Sequence, residues 1–295
     1  DNGRSRGLGD VYKRQAQIIE KIEAQKGIMS VKDGDFEKVF EEIVGTWMDV
    51  YPTCPIVLSG MIGSRQGWLE APYIDCPAQL NQLAKKLTVI NLIRKRKVFL
   101  VPGLTFKDEE GIPDVMRGEE IQILGSSSTV DQEEQLICLP GSHSKWVRVS
   151  CGNVIAFSTY MTGETYEAVR KNTILSKTLG PETWSEEAFM SGVQYSKRNK
   201  NILSQLFHVR TQILFHQLST DESTSFISGL LIGHELKSAL QNSHGLKIHL
   251  IGDMALTKIY GDAISEFGRT VIQVDTDIVT AGYYALLKQI AEHVE

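Results

Sequence analysis

Apolar residues recur at helical spacing over DFEKVFEEIVGTWMDV, Asp35 to Val50. There Phe36, Val39, Phe40, Ile43, Val44, Trp47 and Met48 form one stripe. The spacing predicts an amphipathic helix, with Asp33 or Asp35 available as its cap. PIVLSGMIGS follows as a short apolar run ending in glycines, the pattern of a buried strand. CPAQLNQLAKKL reads as a short helix and KVFLVPGL as a second buried strand. PDVMRGEEIQILG reads as a helix opened by a proline, with acids in its early turns. The basic run LIRKRKVFLV reads as a solvated helix end leading into the second strand.

From Gln135 the pattern changes. QLICLPGSHSKWVRVSCGNVIAFSTYMTGE holds three strand-like runs, broken at Pro140-Gly141 and at Cys151-Gly152-Asn153. Helical periodicity then dominates in ETYEAVRKNTIL, SEEAFMSGVQYSKR, NILSQLFHVRTQILF and SFISGLLIGHELKSAL. LKIHLIGD is a buried strand running into glycine, followed by the helix MALTKIYGDAISEF, the strand TVIQV and the helix TAGYYALLKQIAEHVE. Strands and helices alternate in both halves, which predicts an α/β class. The polar stretch GSSSTVDQEEQ, Gly125 to Gln135, is the expected boundary, giving domains over 1–130 and 131–295. DNGRSRGLGDVYKRQ lacks apolar periodicity, reading neither as a buried strand nor as an amphipathic helix. Residues 1–15 are therefore set apart as atypical and not native-like.

The chain of 295 residues is 42% hydrophobic and 23% charged, ordinary for a globular protein with a sizeable core. A net charge of −5 argues against a general nucleic-acid binder while leaving room for a local cationic pocket. The four cysteines, Cys54, Cys76, Cys138 and Cys151, form no CxxC pair and no zinc spacing. They are expected as reduced thiols in a cytoplasmic protein. No apolar run reaches the ~18 residues of a membrane span, and no apolar leader segment is visible.

Three glycine-punctuated segments follow apolar strands: SGMIGSRQGW, LPGSHSKW and LIGDMAL. None is a Walker loop or a GxGxxG fingerprint. LPGSHSKW sets Gly141, Ser142, His143, Ser144 and Lys145 in a row. Such a donor-rich hairpin tip suits an anion with many oxygens, although spacing alone equally describes an ordinary polar turn. LIGDMAL has the strand–glycine–helix form whose backbone N–H groups can face a nucleotide; it is also the form of a plain βα turn. SRQGW places Arg65 and Trp68 beyond a strand end, where ligands of α/β folds tend to sit. Arg65 can take a carboxylate in two-pronged fashion, or simply form a surface ion pair. Glu70 and Asp75 can bond hydroxyls. Asp114, followed by Arg117, Glu119 and Glu120, is either a helix cap or a carboxylate able to accept a hydroxyl proton during phosphoryl transfer.

Taken together, GMIGSRQGWLEAPYIDCPA, VPGL, PDVMRGEEIQ, LPGSHSKWV, STYMTGE and LIGD resemble the 2-dehydro-3-deoxygalactonokinases, from about Lys26 to the C-terminus. These belong to the actin-like, sugar-kinase and heat-shock ATPase superfamily. The resemblance implies two ribonuclease-H-like domains flanking a nucleotide cleft, the first binding a sugar acid and the second the nucleotide. It implies ATP-dependent phosphorylation of the 6-hydroxyl of 2-dehydro-3-deoxy-D-galactonate in galactonate breakdown, with Mg²⁺ accompanying ATP. Carried over motif by motif, it makes Asp114 the catalytic base. Arg65, Trp68, Glu70 and Arg117 become substrate residues. Gly141, Ser142, His143 and Lys145 become phosphate residues, and Gly229, Gly252 and Asp253 nucleoside residues. It leaves the metal ligands of this chain unassigned. The partners implied are the sugar acid and ATP, without nucleic acid or membrane, and a homodimer as a further possibility. One departure stands out. The family opens with a phosphate loop of the form Asp-x-Gly-(Ser/Thr)-x-x-x-Arg, which Asp1, Gly3 and Ser5 echo without flanking apolar strands, so no function is carried onto them. If that loop is absent, a non-catalytic sugar-acid-binding module on the same fold is the alternative. A hydrolase is disfavoured, because Ser142 and His143 are adjacent and diverge on a strand and no GxSxG elbow occurs.

Overall fold

A computed structural model of the chain describes residues 7–12, 18–92, 94–126, 133–198, 200–241, 243–274 and 278–294. The chain forms two compact units. The first comprises Asp1–Glu133, Val149–Phe157 and Asp277–Glu295; the second comprises Glu134–Arg148 and Ser158–Thr276. The first passage between them falls beside the polar stretch at 125–135, and the C-terminal segment returns to the first unit.

In the first unit β1 (Gly7–Tyr12) pairs antiparallel with β2 (Ile18–Ala24). The atypical opening thus contributes a strand where its composition gave none. Alternation is weak there, and pairing with the IIEKIEA run supplies the backbone partners that extended chain requires. Asp1, Gly3 and Ser5 lie outside the described residues. Helix α1 (Phe36–Val50) forms as its stripe predicts, with Trp47 and Met48 buried. Asp35 occupies the N-cap position without a side-chain cap bond. Trp47 Nε1 donates to Glu20 Oε2 at 2.6 Å, tying α1 to β2.

Two small sheets follow. In one, β3 (Ile56–Leu58) runs parallel to β7 (Lys97–Leu100), which pairs antiparallel with β6 (Thr88–Asn91). Phe40, Met48, Leu58, Trp68, Leu92 and Val98 meet in an apolar cluster around this sheet. In the other, β4 (Tyr73–Asp75) runs parallel to β8 (Gly103–Lys107), which pairs antiparallel with β9 (Pro113–Met116). Three local expectations are corrected here. The basic run lies in the β6–β7 connection and not at a helix end, because the apolar TVIN segment pairs as a strand. CPAQLNQLAKKL forms β5 (Ala78–Gln79) and then a 3₁₀ helix over Leu80–Lys86. PDVM is strand, not helix: Asp114 lies opposite Phe106 and Met116 opposite Leu104, and burial of Met116 fixes the register. Gly118, at φ +114°, turns the chain before α2 (Glu119–Ser126) begins. The helical period was real but starts after the glycine.

The three strands expected after Gln135 form as β10 (Gln135–Leu139), β11 (Ser144–Ser150) and β12 (Asn153–Tyr160); β10 lies in the second unit, β11 ends in the first, and β12 begins in the first and ends in the second. At its start β12 pairs with β5, Asn153 opposite Gln79. The expected helices follow as α3 (Thr162–Asn172), α4 (Glu186–Ser196), α5 (Ile202–Leu214) and α6 (Thr220–Ala239). Then come β13 (Lys247–Leu250), α7 (Met254–Glu266), β14 (Val271–Gln273) and α8 (Ile278–Val294). The strands order as β14-β13-β10-β11, with β13 parallel to both β10 and β14. Leu136, Cys138 and Trp146 from the sheet pack on Phe189, Leu236 and Tyr260 from α4, α6 and α7. All four cysteines are free thiols. Among the described residues, no helix is long and apolar enough to cross a membrane.

Candidate functional site

The LPGSHSKW segment forms a hairpin tip between β10 and β11, with Ser142 and His143 exposed and Ser144, Lys145 and Trp146 buried. The tip rests on the start of α3. A Cβ on Gly163 would come within 2.7 Å of the Gly141 carbonyl, so only glycine permits the approach. The N–H of Glu164 donates to the Ser142 carbonyl at 3.1 Å, and His143 Nε2 lies 2.5 Å from Glu164 Oε2. STYMTGE thus supports the tip at a helix N-terminus, where backbone donors and the helix dipole favour negative charge. The third glycine motif meets the same place. Gly252, at φ +149°, sits beside Pro140, a Cβ there being 3.8 Å from its Cδ and its carbonyl oxygen. Asp253 caps α7, its Oδ1 accepting from the N–H groups of Ala255 and Leu256 at 3.0 and 3.2 Å.

Beneath the tip lies a buried polar network. Glu235 of α6 accepts from Trp146 Nε1 at 2.7 Å, from Tyr260 Oη at 2.8 Å and from the Thr162 hydroxyl. Tyr260 Oη is in turn 2.8 Å from Ser144 Oγ. Burial pushes the Glu235 carboxyl up, opposed by these hydrogen bonds.

In the first unit SGMIGSRQGW and PDVMRGEE converge. A Cβ on Gly63 would touch Arg117 Nη1 at 3.1 Å, and one on Gly118 would touch Gly60 Cα at 3.3 Å. Arg117 is only 8% exposed. Its Nη2 donates to the Ala71 carbonyl at 2.7 Å and its guanidinium stacks 4.3 Å from the Tyr73 ring centroid. Its Nε and Nη1 have no partner among the described residues. Glu120 is 0% exposed; Oε2 accepts from the Gly118 N–H at 2.6 Å, and Oε1 has no partner among the described residues. Burial, followed by the charge of Glu119, pushes its carboxyl up to about 8. Asp114 is part-buried on β9, with Oδ1 accepting from the Val115 N–H at 2.7 Å. Arg65 is exposed at 83% of its side chain and lies 3.6 Å from Glu70 Oε2.

The donor set suits polyanion chemistry: a glycine-bearing tip with exposed hydroxyl and imidazole, seated on a helix start and next to a second strand–glycine–helix turn. No group of three or more His, Cys, Asp or Glu able to hold a metal occurs among the described residues. A divalent ion arriving with a nucleotide fits that composition, since Mg²⁺ is commonly held through phosphates and water with few protein ligands.

The family model described as 2-keto-3-deoxy-galactonokinase matches residues 1–286. The chain belongs to that family. A protein of Rhizobium meliloti (strain 1021) named "Probable 2-dehydro-3-deoxygalactonokinase DgoK1" is 38% identical over 80% of this chain and 78% of its own length. The 2-dehydro-3-deoxygalactonokinase of Escherichia coli (strain K12) is 30% identical over 94% of this chain and 91% of its own. A crystal structure of a candidate 2-dehydro-3-deoxygalactonokinase from Sinorhizobium meliloti superposes with TM-score 0.85 at 30% identity, covering 96% of this chain and 94% of that one. The fold is of the α/β class expected from the alternation of strands and helices, and it is shared with that solved structure.

The remaining residues singled out in the sequence have the following surroundings. Lys145 is buried on β11, where its Nζ donates to Thr159 Oγ1 at 2.7 Å. Gly229 is a helix-crossing residue, since a Cβ there would lie 1.9 Å from the Phe189 carbonyl of α4, leaving that face no room for a nucleoside. Trp68 packs on Phe40, ring centroids 5.5 Å apart, as part of the core of the first unit. Arg117 braces the loop that carries Arg65. The sequence reading did not single out Glu235, Thr162 or Tyr260. The available signal was a lone carboxylate within the apolar run SGLLIGHEL, a residue type almost never buried without partners.

Proposed function

We propose that this chain transfers the γ-phosphoryl group of ATP to the 6-hydroxyl of 2-dehydro-3-deoxy-D-galactonate, with the first unit holding the sugar acid and the second the nucleotide. The observation that carries the reading is the seating of the LPGSHSKW tip on the start of α3 and beside the Gly252 turn. Gly141, Ser142 and His143 hold the phosphates there, and Gly252 and Asp253 border the nucleoside. Arg65 takes the substrate carboxylate, with Glu70 beside it. Asp114 accepts the proton of the attacking hydroxyl as the new O–P bond forms and the bond to ADP breaks. Phosphoryl transfer asks a protein mainly for positioning and charge stabilisation, and these residue types supply both. Bound together with ATP, Mg²⁺ would supply charge neutralisation at the phosphates. The reading carries with it a cytoplasmic location, and a homodimer as the assembly that light scattering would test. A non-catalytic module is the weaker reading, since the family model matches residues 1–286 and both curated relatives carry a kinase name.

The test is ADP release with 2-dehydro-3-deoxygalactonate as acceptor, on the wild type and on Ser142→Asp, which places a negative charge at the tip. A rise in the KM for ATP of tenfold or more, with the KM for the sugar acid little changed, supports the phosphate role. An unchanged KM for ATP removes it.

A further inference from the structure

We propose that Glu235 is a positioning residue that fixes the phosphate hairpin, the start of α3 and helix α7 relative to one another; this rests on the hairpin being the phosphate site. The three donors to its carboxylate come from three different elements: Trp146 from β11, Thr162 from α3 and Tyr260 from α7. Each lies in, or on the helix that follows, a motif proposed to meet the nucleotide. Trp146 closes SHSKW, Thr162 lies in STYMTGE immediately before Gly163, and Tyr260 lies on the helix that Asp253 caps. Tyr260 donates to Glu235, so its oxygen is left to accept from the Ser144 hydroxyl, next to the exposed tip. One buried carboxylate therefore holds the root of the tip through two side chains of β11, and the tip's support through Thr162.

The chemistry of the donors requires an acceptor at that place. An indole N–H can only donate, so the oxygen facing Trp146 must accept. Removing an acceptor from a buried network leaves its donors unsatisfied, and the surrounding elements shift to relieve it. A shift at the root of a phosphate cradle is felt at the tip, because a displacement of about 1 Å in a catalytic geometry can cost about a hundredfold in rate.

The experiment is steady-state kinetics on Glu235→Gln, with both substrates varied, beside Trp146→Phe, Thr162→Val and the pair Glu235→Gln/Trp146→Phe. The amide can keep one acceptor for Thr162 and Tyr260 but turns an NH₂ toward the Trp146 N–H. We expect the KM for ATP to rise about tenfold in Glu235→Gln, with the KM for the sugar acid within about twofold of wild type. The pair should recover most of that loss, because the opposed donors are then gone. If Glu235→Gln does not fold, Thr162→Val and Trp146→Phe, which each delete one donor, should still raise the KM for ATP selectively. A lowered Tm with both KM values and kcat unchanged, or equal effects on the two substrates, overturns the proposal. If Ser142→Asp raises the KM for ATP while the network variants do not, Glu235 alone is refuted. If Ser142→Asp also has no effect, the phosphate assignment itself falls.

Discussion

Glu120→Gln isolates the cost of burying one carboxyl without a full set of partners. Glu120 is wholly buried, accepts one hydrogen bond from the Gly118 N–H, and has its carboxyl raised from 4.5 to about 8 by burial and then by Glu119. In the folded chain it keeps its proton to about pH 8, whereas unfolded it loses it near 4.5. Between those values the folded state binds the extra proton, so stability falls as pH rises, by about 1.4 kcal/mol per pH unit. Above about 8 both states are ionised and the loss is complete, at most about 5 kcal/mol. Glutamine preserves the shape and the acceptor for Gly118 but never ionises. Wild type and variant should therefore unfold alike near pH 5. The variant should gain progressively on the wild type up to pH 8 and hold a constant lead beyond it. Thermal unfolding followed by circular dichroism at half-unit pH intervals reads this as a Tm gap growing to on the order of 5–10 °C. Parallel curves over pH 5–9 would refute the reasoning, because they would mean that Glu120 ionises in the folded state as readily as in water.

Asp114→Asn should leave ATP binding nearly intact and lower kcat by about 10²–10⁴, the usual worth of one proton acceptor; full turnover would place the base elsewhere. Arg65→Ala should raise the KM for the sugar acid more than that for ATP, and an equal effect on both would count against a carboxylate role. Gly229→Ala places a Cβ 1.9 Å from the Phe189 carbonyl and should lower stability by several kcal/mol, in urea unfolding, since backbone must move. A near-neutral result there would return Gly229 to the nucleoside role.

Much of the second unit was legible in the sequence. Its strands are short and bounded by Pro140-Gly141 and Cys151-Gly152, and its helices carry plain periodicity, so local pattern and final element agree. The first unit was harder to read. PDVM becomes a strand because β8 is there to pair with it, a tertiary partner that periodicity cannot register. The same limit hid β1, whose pairing with β2 is no part of its own composition. Glycine motifs located the hairpin and the Gly252 turn, since tight turns need specific residues. They could not distinguish Gly229, where the bare backbone admits a helix, from a glycine that admits a ligand. Nor could the motif tell that Lys145 is buried and bonded to Thr159, a partner that local spacing does not register. Glu235 escaped notice because its partners lie on three other elements, far apart in the chain.

The most direct measurement is ADP release by the purified chain, given ATP, Mg²⁺ and 2-dehydro-3-deoxy-D-galactonate, with the product examined by phosphorus NMR. The account predicts one ADP per sugar acid consumed and a phosphate monoester on the 6-oxygen. ATP that is bound without its γ-phosphoryl group ever passing to the sugar acid, or a phosphate found on another oxygen, would contradict it.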